Sequence, residues 1–428
     1  MNPIEALAKF KAAEFIRLVF TDLRGDLREV ELSSSQAQKV IDGEVMFDGS
    51  SVEGFSGIEN SDLYLVPDLN TIKELPSKLE RGRSIVLVIC DIYSPSKEPD
   101  LNDSRVVLKK TLERAKELGF VVNVGAEPEF FLLKEDRTPA DDARYFELST
   151  SEDAEDCRRD IVKNLESLEF NIETSHHEVA PGQHEVNFTY SEALKAADNI
   201  QIFKSVVKRT SKQHSLNATF MAKPIQGVNG SGMHCNISLF KNGENIFKGD
   251  KEQLSLTAKQ FIAGVLKYAR SLAAITNPTV NSYKRLVPGY EAPVYVAWSS
   301  SNRSCMVRVP ASTGNATRIE VRNPDPTSNP YLTLAVLIDA GIKGITEGLE
   351  PPLEQKENLF KLSIDEVKRL GIEILPEDLR EAVNEFKQNY PSKEILGDNL
   401  FASIIKSREK DWNEYRLAIS KWELDRYM

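Results

Sequence analysis

The sequence predicts an α+β fold: a small N-terminal β domain over residues 1–100, then a large sheet-and-helix domain over 104–428. Three observations carry this prediction. The 428 residues, 41% hydrophobic and 28% charged, are enough chain for two or three domains with buried cores. Residues 15–100 alternate apolar and polar positions, the period-2 pattern of half-buried strands. Beyond residue 104, strand-like and helix-like patterns mix with no internal repeat and no low-complexity tract.

Taken in order, FIRLVFTDLRGDLREVELS alternates on both sides of Gly25 and reads as a hairpin. SIVLVICDIY (84–93) reads as a buried strand, and SPSKEPDLNDS (94–104) as a linker. Ser104 is the expected cap of a helix with apolar residues at 107, 108, 112, 115 and 118, which Gly119 stops. Strands are expected at 120–124, 129–133, 171–179, 184–189, 217–222, 233–240, 294–298, 305–309 and 317–322. Helices are expected at 153–168, 191–212, 254–275, 330–348 and 394–424, with Asn329 capping the fourth and Pro330 opening it.

Charge and cysteine usage narrow the function. A net charge of −11 argues against nucleic acid as the main partner, because phosphate binding needs a basic face. No apolar run approaches the ~18 residues of a membrane span, and MNPIEALAKFKAAEF lacks the apolar stretch of a secretory signal. Cys90, Cys157, Cys235 and Cys305 are far apart with no C-x-x-C, so they read as reduced thiols of a cytoplasmic protein rather than zinc ligands.

The chemistry-bearing segments come next. In GAEPEFFLL, Glu127 and Glu129 are two apart on a strand-like segment, so both carboxylates leave one face and repel unless a cation sits between them. A solvated strand face would also accommodate that pair alone. In HHEVAPGQHEVNF, Pro181-Gly182 centres a tight turn, and Glu178 and Glu185 are equidistant from it. A hairpin would set them directly opposite, with Cβ atoms ~5 Å apart, which is unfavourable without a cation. RIEVR puts Arg318, Glu320 and Arg322 on one strand face, as a charged wall or as a salt-bridge ladder. GMHCNISLF puts His234, Asn236 and Ser238 on one face, and a lone histidine there would more often be a satisfied core residue. Pooled, five glutamates and a histidine without thiolates suit Mg²⁺ or Mn²⁺, and the count suits two ions. Two divalent ions flanked by arginines suit phosphoryl transfer. No Walker motif is present, and GVNGSG (227–232) is weak evidence for a phosphate loop.

These residues, with MFDGSSVEGF, EPEFFL, SHHEVAPGQHEVNF, KPIQGVNGSGMHCNISL, NPTVNSYKRLVPGYEAP, NRS and RIEVRNPDPTSNPYL, make the chain resemble type I glutamine synthetases. The likeness is to the Gram-positive-like alpha subtype and runs from about Phe15 to Met428. The resemblance implies a β-grasp-like N-terminal domain and a catalytic domain with a curved antiparallel sheet. It implies ATP-dependent ligation of ammonia to glutamate through γ-glutamyl phosphate. Glu129, Glu178 and Glu185 would hold one metal, and Glu127, His234 and Glu320 the other. Asn229, Gly230, Arg285, Glu291 and Arg322 would bind glutamate. Glu173, Tyr190, Ser238, Arg303, Arg308 and Arg318 would meet ATP, with Arg303 holding the transferred group. Asp48, Ser51, Tyr145 and Glu178 would form the ammonium pocket, with Asp48 accepting a proton and Glu291 closing a flap. The family's sites lie between subunits of two stacked six-membered rings, so Asp48 would serve a neighbour. The tail SIIKSREKDWNEYRLAISKWELDRYM, with Trp412 and Trp422, would dock onto another ring.

Three functions are distinguished on residues. A catalytically dead nitrogen sensor binding a transcription factor would not need every ligand position filled. A ligase for larger amines such as polyamines would not need Asp48, Ser51 and Tyr145. An active ammonia-dependent synthetase needs both, and binding of a nitrogen-regulatory transcription factor can coexist with it. Two departures from the family pattern concern regulation. Phe360 stands where the adenylylated branch has tyrosine, in Asn358-Leu359-Phe360-Lys361-Leu362. Gly57 stands where Gram-positive relatives carry an arginine involved in inhibition by glutamine.

Overall fold

A computed structural model describes residues 1–55, 61–147, 151–249, 254–389 and 393–428. Gly57 lies outside the described residues. The alternation read over 15–33 produces the expected hairpin, paired from Phe15↔Ser33 to Thr21↔Leu27. Phe15–Thr21 also pairs in parallel with Ile85–Tyr93, giving a mixed sheet in the order Leu27–Ser33, Phe15–Thr21, Ile85–Tyr93, Asp62–Pro67, Val45–Asp48. Ile16, Leu18, Val88 and Ile92 form its buried face with Ala6 and Phe10 of the helix Pro3–Ala12. At the hairpin turn, Gly25 has φ +89 and a Cβ there would sit 2.7 Å from the Asn329 backbone. That approach seats the turn on the helix Pro330–Thr346, and Asn329 Nδ2 donates to the Asp22 carbonyl at 3.0 Å.

The rest of the chain builds two further sheets. The larger runs Ser191–Glu192, Val121–Pro128, Met233–Lys241, Ile319–Val321, Cys305–Arg308, Tyr295–Ser299, Glu373–Ile374. The smaller, four-stranded sheet runs Asn217–Thr219, Phe130–Leu133, Gln183–Phe188, Ile172–His177. Apolar residues of the larger sheet pack on the helices Leu256–Thr276 and Pro330–Thr346. Gly264 and Gly344 let these two helices touch, since a Cβ at either would meet backbone at 2.0 or 2.1 Å. The four cysteines are buried and free. No helix among the described residues is long and apolar enough to cross a membrane.

Several expectations shift. Asp103, not Ser104, caps Ser104–Glu117, its carboxylate accepting from Arg105 N. The long C-terminal helix is interrupted twice: Lys393–Leu417 is broken at Gly397, whose φ of 72 is not helical, and a separate helix, Lys421–Tyr427, starts where Ser420 and Glu423 form a capping box. Trp412 packs against the chain's own core, so Trp422 alone of that pair stands exposed. The helix Leu379–Asn389, absent from the expectations, buries Leu379, Ala382, Val383 and Phe386 at helical spacing. The strand expected over 217–222 stops at Thr219.

Candidate functional site

The chain leaves the larger sheet after Pro128 and enters the smaller one at Phe130, so Glu129 sits at the crossing rather than along one strand. Glu127 and Glu129 nevertheless line the same cavity, of about 650 Å³, between the two sheets. Its far wall is the hairpin carrying Glu178 and Glu185. Their expected direct opposition is corrected: Glu185 pairs with His176, and Glu178 N donates to Gln183 O at 2.8 Å. The Pro181-Gly182 turn closes through Gln183 N to Ala180 O at 3.0 Å, and the ladder resumes only at Glu178 opposite Gln183, so Val179 and Ala180 fall outside it and Val179 is exposed. Glu178 and Glu185 stay on one face, now joined by His176. Ligand atoms of His176, Glu178 and Glu185 lie within 4.8 Å of one another, as do those of Glu127, His234 and Glu320.

The electrostatics of these groups fit divalent cations. Burial, then the charges of Glu129, Glu127 and Glu178, hold the Glu185 carboxyl well above the usual carboxylate range. Burial and the Glu178 charge raise Glu129 likewise. His234 is pushed down to about 3 by burial and Arg322, so its imidazole is neutral, as a ligand must be. His176 Nδ1 is buried with no hydrogen-bond partner. Glu129 Oε2 accepts from Gln183 Nε2 and Gly232 N, each at 2.8 Å. Glu320 accepts from Arg308 at 2.5 Å and Arg322 at 2.6 Å, so its charge is offset by cations that themselves face the cavity.

The cavity also gathers Tyr145, Asn229, Gly230, Arg285, Glu291, Arg303, Arg318 and Arg322. Arg285 is buried, with Asn323 and Arg322 carbonyls accepting at 2.8 and 3.1 Å. Glu291 sits in the left-handed region at φ 56 and accepts from Asn229 Nδ2 at 3.1 Å. Tyr145 stacks on Phe146, with ring centroids 4.1 Å apart. Two glycines of GVNGSG serve close approach: a Cβ at Gly230 would sit 2.2 Å from Ala222 O, and one at Gly232 would sit 2.6 Å from Arg285 Nη2. Glu173, Tyr190 and Ser238 line an adjoining space of about 240 Å³, which shares Glu127, Asn187, Asn236 and Arg318 with the first.

Asp48 and Ser51 are not brought to this cavity. Asp48 is exposed at the end of Val45–Asp48, where Ser50 and Ser51 hydroxyls donate to it at 2.6 Å. Those hydrogen bonds hold its carboxyl below the usual range. Conversely, sequence reasoning missed Gln183, whose amide bridges Glu129 and the Gly230 carbonyl. Its signal was alternation, since Gln183 precedes Glu185 and Asn187 by two and four positions. It also missed the buried Asp141–His177 contact of 2.6 Å, which braces the hairpin at Glu178.

Known proteins similar to this chain match it over nearly its whole length. The family model of the glutamine synthetase catalytic domain matches residues 101–427, and that of its β-grasp domain residues 12–95. The glutamine synthetase of Clostridium saccharobutylicum is 49% identical over 430 residues, covering 99% of this chain and 97% of that protein. One from Staphylococcus aureus (strain MW2) is 48% identical over 436 residues, covering 100% and 98%. The cryo-EM structure of Plasmodium falciparum glutamine synthetase superposes with TM-score 0.90 at 26% identity, covering 100% of this chain and 99% of that one. A GmaS–ADP complex superposes with TM-score 0.87 at 30% identity, covering 99% and 98%. On full-length identity and on both family models, the chain belongs to the glutamine synthetase family.

Proposed function

We propose how this chain carries out its family's reaction, the ATP-dependent synthesis of glutamine from glutamate and ammonia. The observation that carries the proposal is convergence. The six expected metal donors and five arginines line one cavity, and that cavity adjoins a second space bordered by Glu173, Tyr190 and Ser238. The adjoining space takes the nucleotide, with Arg318 at the junction. Asn229, Gly230, Arg285, Glu291 and Arg322 hold glutamate, and Arg303 and Arg308 face the phosphoryl group in flight. Glu129, Glu178 and Glu185 would hold one divalent ion, Mg²⁺ or Mn²⁺, and Glu127, His234 and Glu320 a second. When bound, such ions neutralise phosphate charge and align the triphosphate with the glutamate carboxylate.

Glutamate's γ-carboxylate acylates poorly, so its oxygen first takes the γ-phosphoryl group, releasing ADP. Ammonia then displaces phosphate from the γ-glutamyl phosphate. Ammonium must lose a proton before it attacks, and carboxylates of the cavity serve this step. Glu178 and Tyr145 form this chain's side of the ammonium pocket. Asp48 and Ser51, exposed at the end of an edge strand, complete the pocket of a neighbouring copy. A low carboxyl pKa keeps Asp48 ionised and suited to binding ammonium. The acyl phosphate hydrolyses in water, so the 286–294 loop, with Glu291 tied to Asn229, closes over it. The assembly this requires is the two-ring homododecamer, with Trp422 and the C-terminal helix meeting the opposite ring. A nitrogen-regulatory transcription factor is compatible with it, and the enzyme is proposed to be cytoplasmic.

ADP release tests the reading. Release should require both glutamate and ammonium, and polyamines should not replace ammonium. Release that ignores ammonium, or runs faster with a polyamine, would overturn the assignment of the ammonium pocket.

A further inference from the structure

A separate cavity of about 920 Å³ lies where the turn of the first hairpin meets the helices Ala193–Gln213 and Lys393–Leu417. None of its lining residues lines the catalytic cavity. Two of those residues are cations that are almost wholly buried: Lys204 is 8% exposed and Arg408 3%. Arg408 Nε is buried with no hydrogen-bond partner. The nearest carboxylates, Glu53 and Asp411, are taken by Arg24 at 2.6 and 2.7 Å. Lys204 donates to the Ser328 carbonyl at 3.2 Å. Lys208, one helical turn on, faces the same space with its ammonium 6.0 Å from the Phe220 ring. Like charges four apart on a helix repel.

The other charges facing this space do not neutralise these three. Arg28 is bound by Asp22 at 2.6 Å and Arg209 by Glu80 at 2.5 Å. Asp26 and Glu29 are the carboxylates that line the cavity, both exposed, and Glu29 lies 3.2 Å from Arg17. Among the described residues, Lys204, Lys208 and Arg408 therefore have no carboxylate partner within salt-bridge distance. Burial, with Lys208 nearby, pushes Lys204 down to about 7, and burial, with Arg24 nearby, pushes Arg408 down to about 10, outweighing the opposite pull of Asp26 and Asp325 on the first and of Asp411 and Glu53 on the second. Buried charges are ordinarily paired, and an unpaired one calls for an explanation. A cavity whose wall carries a buried guanidinium and a buried ammonium, neither with a carboxylate partner, is a receptor for oxyanions. Leu27, Phe220 and Met221 add apolar wall, and the volume is that of a small-molecule site.

We propose that this cavity binds a small molecule with a dianionic oxyanion head, phosphate or carboxylate, held by Arg408 and Lys204. The head neutralises the buried cations, and the body rests on the apolar wall. The cavity joins the N-terminal hairpin to two helices of the rest of the chain, so occupancy braces those elements together.

Tungstate, a tetrahedral dianion that can be located by anomalous scattering, is the probe. Crystals of the intact protein soaked at millimolar tungstate should show a peak within hydrogen-bond reach of Arg408 and Lys204. In Arg408→Gln, and separately in Lys204→Met, the affinity should fall about tenfold or more. Retained glutamate- and ammonium-dependent ADP release certifies the fold of each variant, and either one alone carries the test. Displacement by inorganic phosphate but not succinate identifies a phosphate head, and displacement by succinate identifies a carboxylate head. A cavity without tungstate density overturns the proposal, as does equal occupancy in both variants.

Discussion

Arg105 gives the sharpest test of how the N-terminal sheet is fastened to the rest of the chain. Its guanidinium is buried and reaches three carboxylates: Asp91 at 2.6 Å, Asp68 at 2.8 Å and Asp198 at 2.9 Å. Asp68 and Asp91 belong to the N-terminal sheet and its following turn, while Asp198 lies on the helix Ala193–Gln213. In Arg105→Met, Lys109 is left as the neighbouring cation, 2.5 Å from Asp91 and 3.9 Å from Asp68, and it does not reach Asp198. Breaking a buried pair from one side costs about 3–5 kcal/mol, because the orphaned carboxylates stay buried. With a urea slope of about 3 kcal/mol/M, the unfolding midpoint should drop by roughly 1 M or more. The pH dependence has a definite sign. Burial alone would raise Asp68, but the Arg105 hydrogen bond and charge outweigh it and hold Asp68 below its unfolded value. That stability is present above the unfolded pKa of about 3.9 and is lost as pH falls through the lowered folded value. In Arg105→Met this contribution disappears, and acid unfolding begins at higher pH. Adding Asp91→Asn and Asp198→Asn to the same chain should restore most of the loss, since the penalty lies in unpaired carboxylates. A single variant within about 1 kcal/mol of wild type, or a triple variant no better than the single, would refute the account.

Four further outcomes are expected. Glu185→Gln keeps the shape of the carboxyl and removes its charge; synthesis should fall at least a hundredfold, and the rise in thermal midpoint on adding Mg²⁺ or Mn²⁺ should shrink, with unchanged turnover at saturating metal as the contrary result. Asp48→Asn should lower turnover by ~10²–10⁴-fold, and mixed oligomers with Arg303→Gln should recover part of the activity, since intact half-sites then meet; mixtures as dead as either parent would place Asp48 in its own subunit's chemistry. Phe360 packs 6.2 Å from the Tyr295 ring and the Ser363 hydroxyl is engaged in a capping box, so mass spectrometry of protein from its native host should find no AMP adduct over 355–365. Gly57 offers no donor to the flap carboxylate, so glutamine should inhibit weakly, and Gly57→Arg should tighten inhibition by about ten- to a hundredfold, one charge-assisted hydrogen bond's worth; superimposable titration curves would count against it.

What was legible in the sequence follows from period and like charge. The alternation of MHCNISLF placed His234 and Asn236 on the cavity side and Cys235 and Ile237 in the core, as found. Asn329 and Pro330 marked the start of a helix whose first two free amides Asn329 does accept. The acidic segments announced themselves because like charges close together call for a cation. Register was less accessible. The Pro181-Gly182 turn is where the sequence puts it, but Val179 and Ala180 both fall outside the ladder, a two-residue shift that sets His176 rather than Glu178 opposite Glu185 and keeps both glutamates on one face. The contacts that hold this register reach outside the hairpin, Gln183 Nε2 donating to Glu129 and Gly182 N to Asp141, and these are long-range in sequence. The split of the C-terminal helix was legible in Ser420 and Glu423, but helical periodicity ran through it.

The two cavities obey one electrostatic rule with opposite sign. In the catalytic cavity, ligand atoms of Glu127 and Glu320 lie within 4.8 Å of the neutral His234, and arginines offset Glu320, while Glu178 and Glu185 share one face with His176. In the second cavity, Arg408 and Lys204 are buried while the adjacent carboxylates are committed to Arg24. A folded chain gains nothing from keeping a buried charge unpaired, since an apolar residue of similar size would pack without that penalty. Where such charges persist beside open volume, the missing partner is a ligand. On the function proposed above, the first cavity's partners are divalent cations and a triphosphate. By the same logic the second takes an anion, and the charge of the unpaired groups, rather than the size of the space, distinguishes the two.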